Sequence, residues 1–257
     1  MGLFGKMFEK KICSVCGGEI KLLGNRKLED GNLCKSCASK LSPFFSDRRR
    51  STVEDIKAQL DYREKNRDAV AAFNVTSVYG RDMKVVVDES AKKFMVTRAR
   101  NYNEANPDVI DFKDVTGVQV DIDEERTEDM REDSEGNEIS YNPPKFFYAY
   151  DFKIIINVNN PYFDTIEFKL NSSSVEVNPE CSVPAVRKPD PNTNVDYHEY
   201  KKMANDIKRV LTQAREEVRE ERLAANAPRI PIVCKCCGAT TVPDINGCCE
   251  FCGCTAK

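Results

Sequence analysis

The chain has 257 residues, 40% of them hydrophobic and 32% charged, and its net charge is −3. This length allows one large domain or two to three small ones. Residues 1–50 carry 11 basic and 5 acidic side chains, whereas residues 71–195 carry 14 basic and 23 acidic ones, so the acidic centre argues against a protein that coats nucleic acid along its whole surface.

Twelve cysteines are the most informative feature of the composition. The sequence has no run of 18 apolar residues that would cross a membrane, and its first residues, MGLFGKMFEKK, lack the pattern of a secretory leader. Cysteines in such a chain point to bound metal in a reducing compartment rather than to disulfides. We therefore expect a cytoplasmic protein.

Four cysteines near the N-terminus have the spacing of a zinc site, C-x2-C-x17-C-x2-C. Two residues between a pair of thiolates let one tight turn aim both sulfur atoms at the same ion, and Gly17 gives the backbone freedom after the turn. A redox CxxC motif is the rival interpretation, but it would need a βαβ pattern that we do not find. The predicted ligands of this structural Zn²⁺ are Cys13, Cys16, Cys34 and Cys37.

The segment between these two pairs, EIKLLGNRKLEDGNLC, predicts a β-hairpin with its turn at Asn25 or at Asp30-Gly31. Three apolar side chains are expected to pack behind the metal, namely Ile20, Leu22 and Leu28. The second cysteine pair leads into a short helix. We call a CxxC turn that aims two sulfur atoms at one ion a knuckle. A knuckle, a hairpin and a second cysteine pair at a helix N-terminus make up the treble-clef arrangement.

The next segment, STVEDIKAQLDYREKN at residues 51–66, has helical periodicity. Ser51 and Glu54 are three residues apart, as in a capping box, and Val53, Ile56 and Leu60 lie on one face. We expect this helix to link the first zinc module to the core.

After this helix the hydrophobic period changes to two, which predicts about seven short antiparallel strands. The clearest strand is FFYAYDFKIIINV, in which Phe146, Phe152 and Ile156 share one face while Lys153 and Asn157 share the other. The returning strand, YFDTIEFKL, directs Ile166, Phe168 and Leu170 inward.

An acidic stretch at residues 121–144, DIDEERTEDMREDSEGNEISYNPP, interrupts the predicted sheet. It lacks the ligand ladder and the fixed glycine of an EF-hand. We interpret it as a solvated extension of a hairpin.

A long helix is predicted from Asp196 to about Asn226, with Asp196 and Glu199 as its capping pair. Its apolar positions recur at steps of three and four: Tyr200, Met203, Ile207, Val210, Ala214 and Val218. The first half should pack on the sheet and the second half should project as a stalk. His198, the chain's one histidine, is expected on the helix surface without a catalytic role.

The C-terminal stretch CKCCGATTVPDINGCCEFCGC holds seven cysteines, of which one tetrahedral zinc needs four. Two CxxCG knuckles identify the predicted ligands, which are Cys234, Cys237, Cys249 and Cys252. Cys236, Cys248 and Cys254 remain, and we interpret them as small, half-buried residues. A register slip to Cys248 or Cys254, or a second metal in this module, is the alternative.

Both predicted sites are closed, because four cysteine ligands leave no position for water or substrate. Each module is too small to bury a sufficient core alone and is expected to fold only with its ion bound. We assign no catalytic residue and predict that the chain is not an enzyme.

The predicted fold class is α+β, with four parts in chain order. They are an N-terminal treble-clef zinc module at 1–46, a linker helix at 47–70, an antiparallel β domain closed by a long helix at 71–226, and a C-terminal zinc ribbon with four cysteine ligands at 227–257.

One segment resembles a known family. The string CSVCGGEIKLLGNRKLEDGNLCKSCASKLSPFF and the helix after it, residues 12–66, are similar to a bacterial domain of unknown function with a zinc-binding treble clef. The resemblance implies zinc at the first four cysteines and implies no activity. The strands and final helix of the middle resemble, by pattern alone, pleckstrin-homology-like (PH-like) domains.

Three functions fit this organisation. The first is an adaptor that presents surfaces to protein partners. The second is a nucleic-acid-binding protein that uses basic residues of the N-terminal module, which are Lys21, Arg26, Lys27, Arg48, Arg49 and Arg50. The third is attachment to a membrane surface through residues 1–11, where Leu3, Phe4, Met7 and Phe8 lie on one side. We favour the adaptor.

Overall fold

The computed structural model describes residues 11–21, 23–178, 183–226, 231–244 and 247–255. It combines helices with antiparallel sheets and is therefore an α+β structure. The chain forms two compact units, one that extends to Arg215 and one that begins at Glu216. Residues 1–11 were predicted to contact a membrane surface, and all of them except Lys11 lie outside the described part. Leu22, which was predicted to pack behind the metal, also lies outside it.

The first unit begins with two small hairpins. Strand β1 (Lys11–Ile12) pairs with β2 (Glu19–Ile20), and β3 (Arg26–Lys27) pairs with β4 (Asn32–Leu33). The prediction of a single hairpin over this segment is therefore wrong in its first half. Strand β2 pairs with the preceding strand β1 and not with a strand that follows it. Its predicted turn at Asp30-Gly31 is confirmed within the β3–β4 loop.

Two helices follow, α1 (Lys35–Ala38) and α2 (Val53–Ala71), separated by a 3₁₀ turn at Arg48–Arg50. The predicted cap of α2 is wrong by one residue: Thr52 is the N-cap and forms a capping box with Asp55. The Ser51 hydroxyl instead donates to the Asp47 carbonyl at 3.0 Å. Thr52 is favoured as the cap because Asp55, three residues later, accepts from both the Thr52 N–H and the Thr52 hydroxyl at 2.8 Å.

The seven predicted strands are all present and form two antiparallel sheets. The first sheet has the order β5 (Ser77–Tyr79), β6 (Lys84–Asp88), β7 (Lys93–Thr97) and β8 (Val109–Asp111), with the four-residue helix α3 (Tyr102–Ala105) before β8. The second sheet is built on β9 (Val115–Glu132), β10 (Glu138–Val158), β11 (Thr165–Lys169) and the short β12 (Val175–Glu176). Strand β10 lies at its centre and pairs with all three others.

The predicted alternation along β10 is confirmed. Phe152, Ile154 and Ile156 are fully buried, while Asn157 is exposed. On β11, Ile166 and Phe168 are buried, and Leu170 directly after it is buried too. The core of the middle region therefore lies against one face of the second sheet.

The acidic stretch 121–144 does not interrupt the sheet, contrary to our expectation, but lies within one continuous hairpin. Strands β9 and β10 pair from Val115↔Val158 to Glu132↔Glu138, with a register shift between Ser140 and Lys145. The predicted hairpin extension is thus confirmed. We call residues 127–145 the arm, because β11 and β12 pair with β10 only at Ala149 and beyond.

Helix α4 (Val195–Asn226) packs its first turns on β10. Tyr197 makes edge contacts with Tyr150 and Phe152 at ring-centre distances of 5.0 and 5.2 Å. The predicted cap is wrong, since Asn194 caps the helix by accepting from the Tyr197 N–H at 2.9 Å. The predicted apolar stripe is partly right: Ile207 is fully buried, but the other deeply buried positions are Tyr197, Ala204 and Leu211.

A buried polar network joins α2 to the loop before β8. The Arg63 guanidinium donates to Asp108 Oδ1 at 2.7 Å, and Ser42 Oγ donates to Asp108 Oδ2 at 2.8 Å. Asn66 Nδ2 donates to Asn106 Oδ1, also at 2.7 Å. This network holds the N-terminal segment on the β region together with two aromatic contacts, Phe44 with Phe163 and Tyr62 with Tyr162, at ring-centre distances of 5.6 and 5.0 Å.

The second unit contains the last turns of α4, then β13 (Ile232–Val233) paired with β14 (Thr240–Thr241), and a bridge between Cys248 and Thr255. Among the described helices of the whole chain, none combines the length and apolar character required to span a bilayer.

Candidate metal centres

The N-terminal group of cysteines is assembled by a turn and a helix start. Cys13 and Cys16 lie in the turn between β1 and β2, Cys34 is the N-cap of α1, and Cys37 lies within that helix. Their four sulfur atoms all lie within 4.8 Å of one another. The sulfur atoms of Cys16 and Cys34 are 3.8 Å apart.

The turn at Cys13 is a hydrogen-bonded knuckle. The Gly17 N–H donates to the Cys13 carbonyl at 2.9 Å, and the Cys13 N–H donates to the Gly18 carbonyl at 2.8 Å. Gly17 has a φ of +70°, a left-handed conformation that other residues adopt at a cost. This explains why a glycine follows the second cysteine of the knuckle.

Backbone N–H groups point at the sulfur atoms of this group. The Cys34 N–H donates to Cys13 Sγ at 3.4 Å, and the Cys37 N–H donates to Cys34 Sγ at 3.3 Å. Burial opposes ionisation of Cys13, but hydrogen bonds from the backbone of Cys16, Cys34 and Val15 outweigh it and lower its pKa to about 6. Burial, together with hydrogen bonds to the neighbouring sulfur atoms, raises the pKa of Cys37. Ionisation of all four thiols at such short distances would require a cation among them.

The C-terminal group is built from two knuckles of the same kind. Cys234 and Cys237 follow β13, and the Gly238 N–H donates to the Cys234 carbonyl at 2.8 Å. The Gly253 N–H makes the equivalent bond to the Cys249 carbonyl, also at 2.8 Å. The four sulfur atoms of Cys234, Cys237, Cys249 and Cys252 lie within 4.8 Å of one another.

The sulfur atoms of the C-terminal group compete for protons in the same way. Burial opposes ionisation of Cys249, but the N–H groups of Phe251 and Cys252 outweigh it and lower its pKa to about 6. The pKa of Cys237 is raised to about 12: a backbone N–H of Ala239 lowers it, but hydrogen bonds with the sulfur atoms of Cys252, Cys249 and Cys234 prevail.

The distances within both groups fit a tetrahedral zinc ion. A Zn–S bond of about 2.3 Å sets neighbouring sulfur atoms about 3.8 Å apart. The sulfur pair Cys234–Cys252 is separated by 3.6 Å and the pair Cys237–Cys249 by 3.7 Å, whereas a disulfide would need about 2.05 Å. Within the described residues no histidine or carboxylate joins either group, so each group could hold one structural zinc with sulfur ligands alone.

The three remaining C-terminal cysteines lie outside this group. Cys248 and Cys254 are half-buried, as predicted, but the same prediction is wrong for Cys236, which is exposed. The Cys254 carbonyl accepts from the Cys249 N–H at 2.8 Å, and its thiol contacts that of Cys236, which raises the pKa of Cys254. The geometry therefore favours Cys249 and Cys252 over the alternative with a slipped register. Cys181 lies outside the described residues.

The prediction that Ile20 and Leu28 pack behind the metal is confirmed, but the contribution of α2 to the same cluster was not predicted. Val53 and Leu60 of α2 pack against a cluster of buried residues that includes two of the cysteines. The buried members are Cys13, Ile20, Leu28, Leu33, Cys37, Leu41 and Ile56. The sequence feature that could have indicated these contacts is the apolar face of α2, formed by Val53, Ile56 and Leu60. His198 is exposed, as predicted.

A family model matches residues 11–59, and its description is a domain of unknown function, DUF4428. The matched segment contains both N-terminal cysteine pairs and the first part of α2. Comparisons with curated proteins and with solved structures each gave no match.

Proposed function

We propose that this chain is an adaptor whose two zinc ions are structural and whose surfaces bind protein partners. The observation that carries the proposal is the composition of the two metal-binding groups. Each consists of four sulfur atoms within 4.8 Å of one another, so an ion bound there has no open position for water or substrate. The ions would shape the molecule, and the proposal includes no catalytic step.

The proposal gives each part of the chain a role. A knuckle followed by a helix start supports a treble clef at the N-terminus, and two facing knuckles support a zinc ribbon at the C-terminus. Two antiparallel sheets and a helix that packs on β10 support a PH-like scaffold in the middle of the chain. We place the protein in the cytoplasm, where thiols stay reduced.

The arm is the surface that we propose for partner binding. The stretch 121–144, which includes most of the arm, carries ten acidic and two basic residues. Glu132 and Glu138 lie directly opposite each other in the ladder, which destabilises the free hairpin. A partner with a basic face would relieve this repulsion and would be attracted at long range.

The adaptor proposal is tested by affinity capture at physiological salt with an arm variant as bait. The variant Glu132→Gln with Glu138→Gln removes two exposed charges from the arm, and Glu89→Gln with Glu220→Gln removes two exposed charges elsewhere. We expect specific basic proteins to be recovered with the unaltered chain and the control, and lost with the arm variant. Recovery of no specific protein by the unaltered chain would contradict the adaptor, and equal recovery by the arm variant would contradict the assignment to the arm.

Nucleic-acid binding is the second candidate, because the structure gathers basic residues of the N-terminal module. Strand β3 lies against the 3₁₀ turn Arg48–Arg50. Burial, then the charges of Arg26 and Arg49, lower the pKa of Arg48. Such a cluster attracts phosphate. A shift assay with DNA and RNA over a salt series tests this function, and absence of binding at low salt would eliminate it.

A further inference from the structure

A cavity of about 530 Å³ in the β region is lined mainly by cations. Its basic residues come from three separate parts of the chain, and we call it the basic cavity. They are Arg81 and Lys84 at the β5–β6 turn, Arg98 and Arg100 after β7, and Lys169 at the end of β11. Asp82 is the one acidic residue of the lining. Five cations in one cavity contrast with the net charge of the surrounding sequence, which is acidic.

The backbone that carries these cations is fixed by specific contacts. Gly80 has a φ of +102°, and a Cβ there would clash with the Met83 carbonyl oxygen, so only glycine allows this tight turn. After β7, the Ala99 N–H donates to the buried Thr97 hydroxyl at 3.0 Å. The loop after β11 is fixed by buried Asn171, whose Oδ1 accepts from the Phe152 N–H at 2.8 Å. The cations therefore surround a preformed space.

Two of the five cations have carboxylate partners. Arg81 pairs with Glu199 and lies over the Tyr200 ring. Lys169 pairs with Asp151 at 2.7 Å.

The other three cations, Lys84, Arg98 and Arg100, form no ion pair with any residue that the structure describes. Unpaired like charges around one cavity repel one another, and an anion with several oxygen atoms would replace this repulsion with attraction. Arginine is suited to such a ligand because its planar group can donate two parallel hydrogen bonds to one phosphate.

We propose that the basic cavity binds a small ligand with more than one phosphate charge. Its volume lies within the range of about 300–1,000 Å³ that is typical of small-molecule sites. Arg98 and Arg100 would supply most of the binding energy, while Asp82 would oppose it. The same phosphate chemistry could come from a free metabolite or from a lipid headgroup, and the proposal is independent of the zinc ions and of the adaptor role.

The test is titration calorimetry with sodium triphosphate, at low ionic strength in a phosphate-free buffer. A parallel arm measures flotation with phosphatidylcholine vesicles, with and without phosphatidic acid. The cavity variant is Arg98→Gln with Arg100→Gln, and the matched control is Lys57→Gln with Lys65→Gln, which removes two exposed charges from α2. Circular dichroism checks that each variant is folded.

We expect the unaltered chain and the control to bind, and the cavity variant to bind about tenfold more weakly or worse, because it loses two charge-assisted contacts. Asp82→Asn should strengthen binding, a gain that misfolding would not produce. This pattern with triphosphate identifies a free anion as the ligand source, and the same pattern with phosphatidic acid vesicles alone identifies a headgroup. Absence of binding in both arms, or equal binding by the cavity variant, would overturn the proposal.

Discussion

The two cysteine groups have similar sulfur geometry but differ in what packs behind them. Behind the N-terminal group, Leu28, Leu33 and Ile56 are almost fully buried. Behind the C-terminal group, the buried residues Cys234 and Cys249 are joined only by half-buried Ile232 in the described apolar cluster. A metal at the N-terminus would therefore add to an apolar core, whereas a metal at the C-terminus would replace one.

Metal removal should have the largest effect and tests this comparison directly. With a chelator we expect residues 231–255 to lose all protection from amide exchange, because binding of a structural zinc supplies about 10 kcal/mol or more. The segment from β4 to α2 should keep partial protection through its apolar cluster. Hydrogen exchange with mass spectrometry measures both. Equal loss of protection in the two modules would contradict the conclusion that only the N-terminal module has an apolar core of its own.

The single-site counterparts of chelation are Cys249→Ser and Cys13→Ser. Each should remove one equivalent of zinc by elemental analysis, out of two for the unaltered chain. One equivalent in the unaltered chain would contradict one of the two metal assignments, and none would contradict both.

The buried ion pair of Arg63 and Asp108 gives the N-terminal module a second support. Asp108→Ala leaves the Arg63 charge buried without its partner and should lower the free energy of unfolding by about 3–5 kcal/mol. The exposed change Asp68→Ala on the same helix as Arg63 is the control and should have little effect. Urea denaturation measures the difference. An unchanged urea midpoint for Asp108→Ala would show that the buried polar network does not stabilise this module.

Local patterns in the sequence were sufficient for much of this structure. The cysteine pairs were predictable because each knuckle is a turn of a few residues. Strands β10 and β11 were predictable because burial alternates at every second residue, as at Phe152, Ile154 and Ile156. The helix caps were harder to place. Ser51 and Thr52 are adjacent, both can cap, and each has an acidic residue three positions later, Glu54 or Asp55, so the sequence pattern alone does not decide between them.

Contacts between distant segments could not be read from the sequence. Arg63 and Asp108 are 45 residues apart, and nothing near either residue identifies the other. The basic cavity draws its residues from segments near positions 81, 98 and 169, each of which resembles an ordinary charged surface. Only the fold shows that three of these cations meet without carboxylate partners among the described residues.

Truncation of apolar side chains should destabilise the N-terminal module more than the C-terminal one, with a smaller effect than metal removal. Leu33 is fully buried, and Leu33→Ala should cost about 2–5 kcal/mol, including the cavity that it leaves. Ile232 is only half-buried, so Ile232→Ala should cost about 1 kcal/mol. Urea denaturation with zinc present measures both. Equal costs would mean that the C-terminal module has an apolar core as important as that of the N-terminal one.

The knuckle glycines provide the smallest but most closely matched test. Gly17 and Gly253 have φ angles of +70° and +69°, with open space where a Cβ would lie, so alanine adds the same conformational strain of about 1–2 kcal/mol at each. If the C-terminal module is unfolded without metal, its strain appears only in the bound state and should weaken zinc binding about tenfold. If the N-terminal module keeps its structure without metal, Gly17→Ala strains both states and should change zinc affinity less. Competition with a chromogenic chelator measures the two affinities, and asparagine at either position, which tolerates this conformation better, should restore part of the loss.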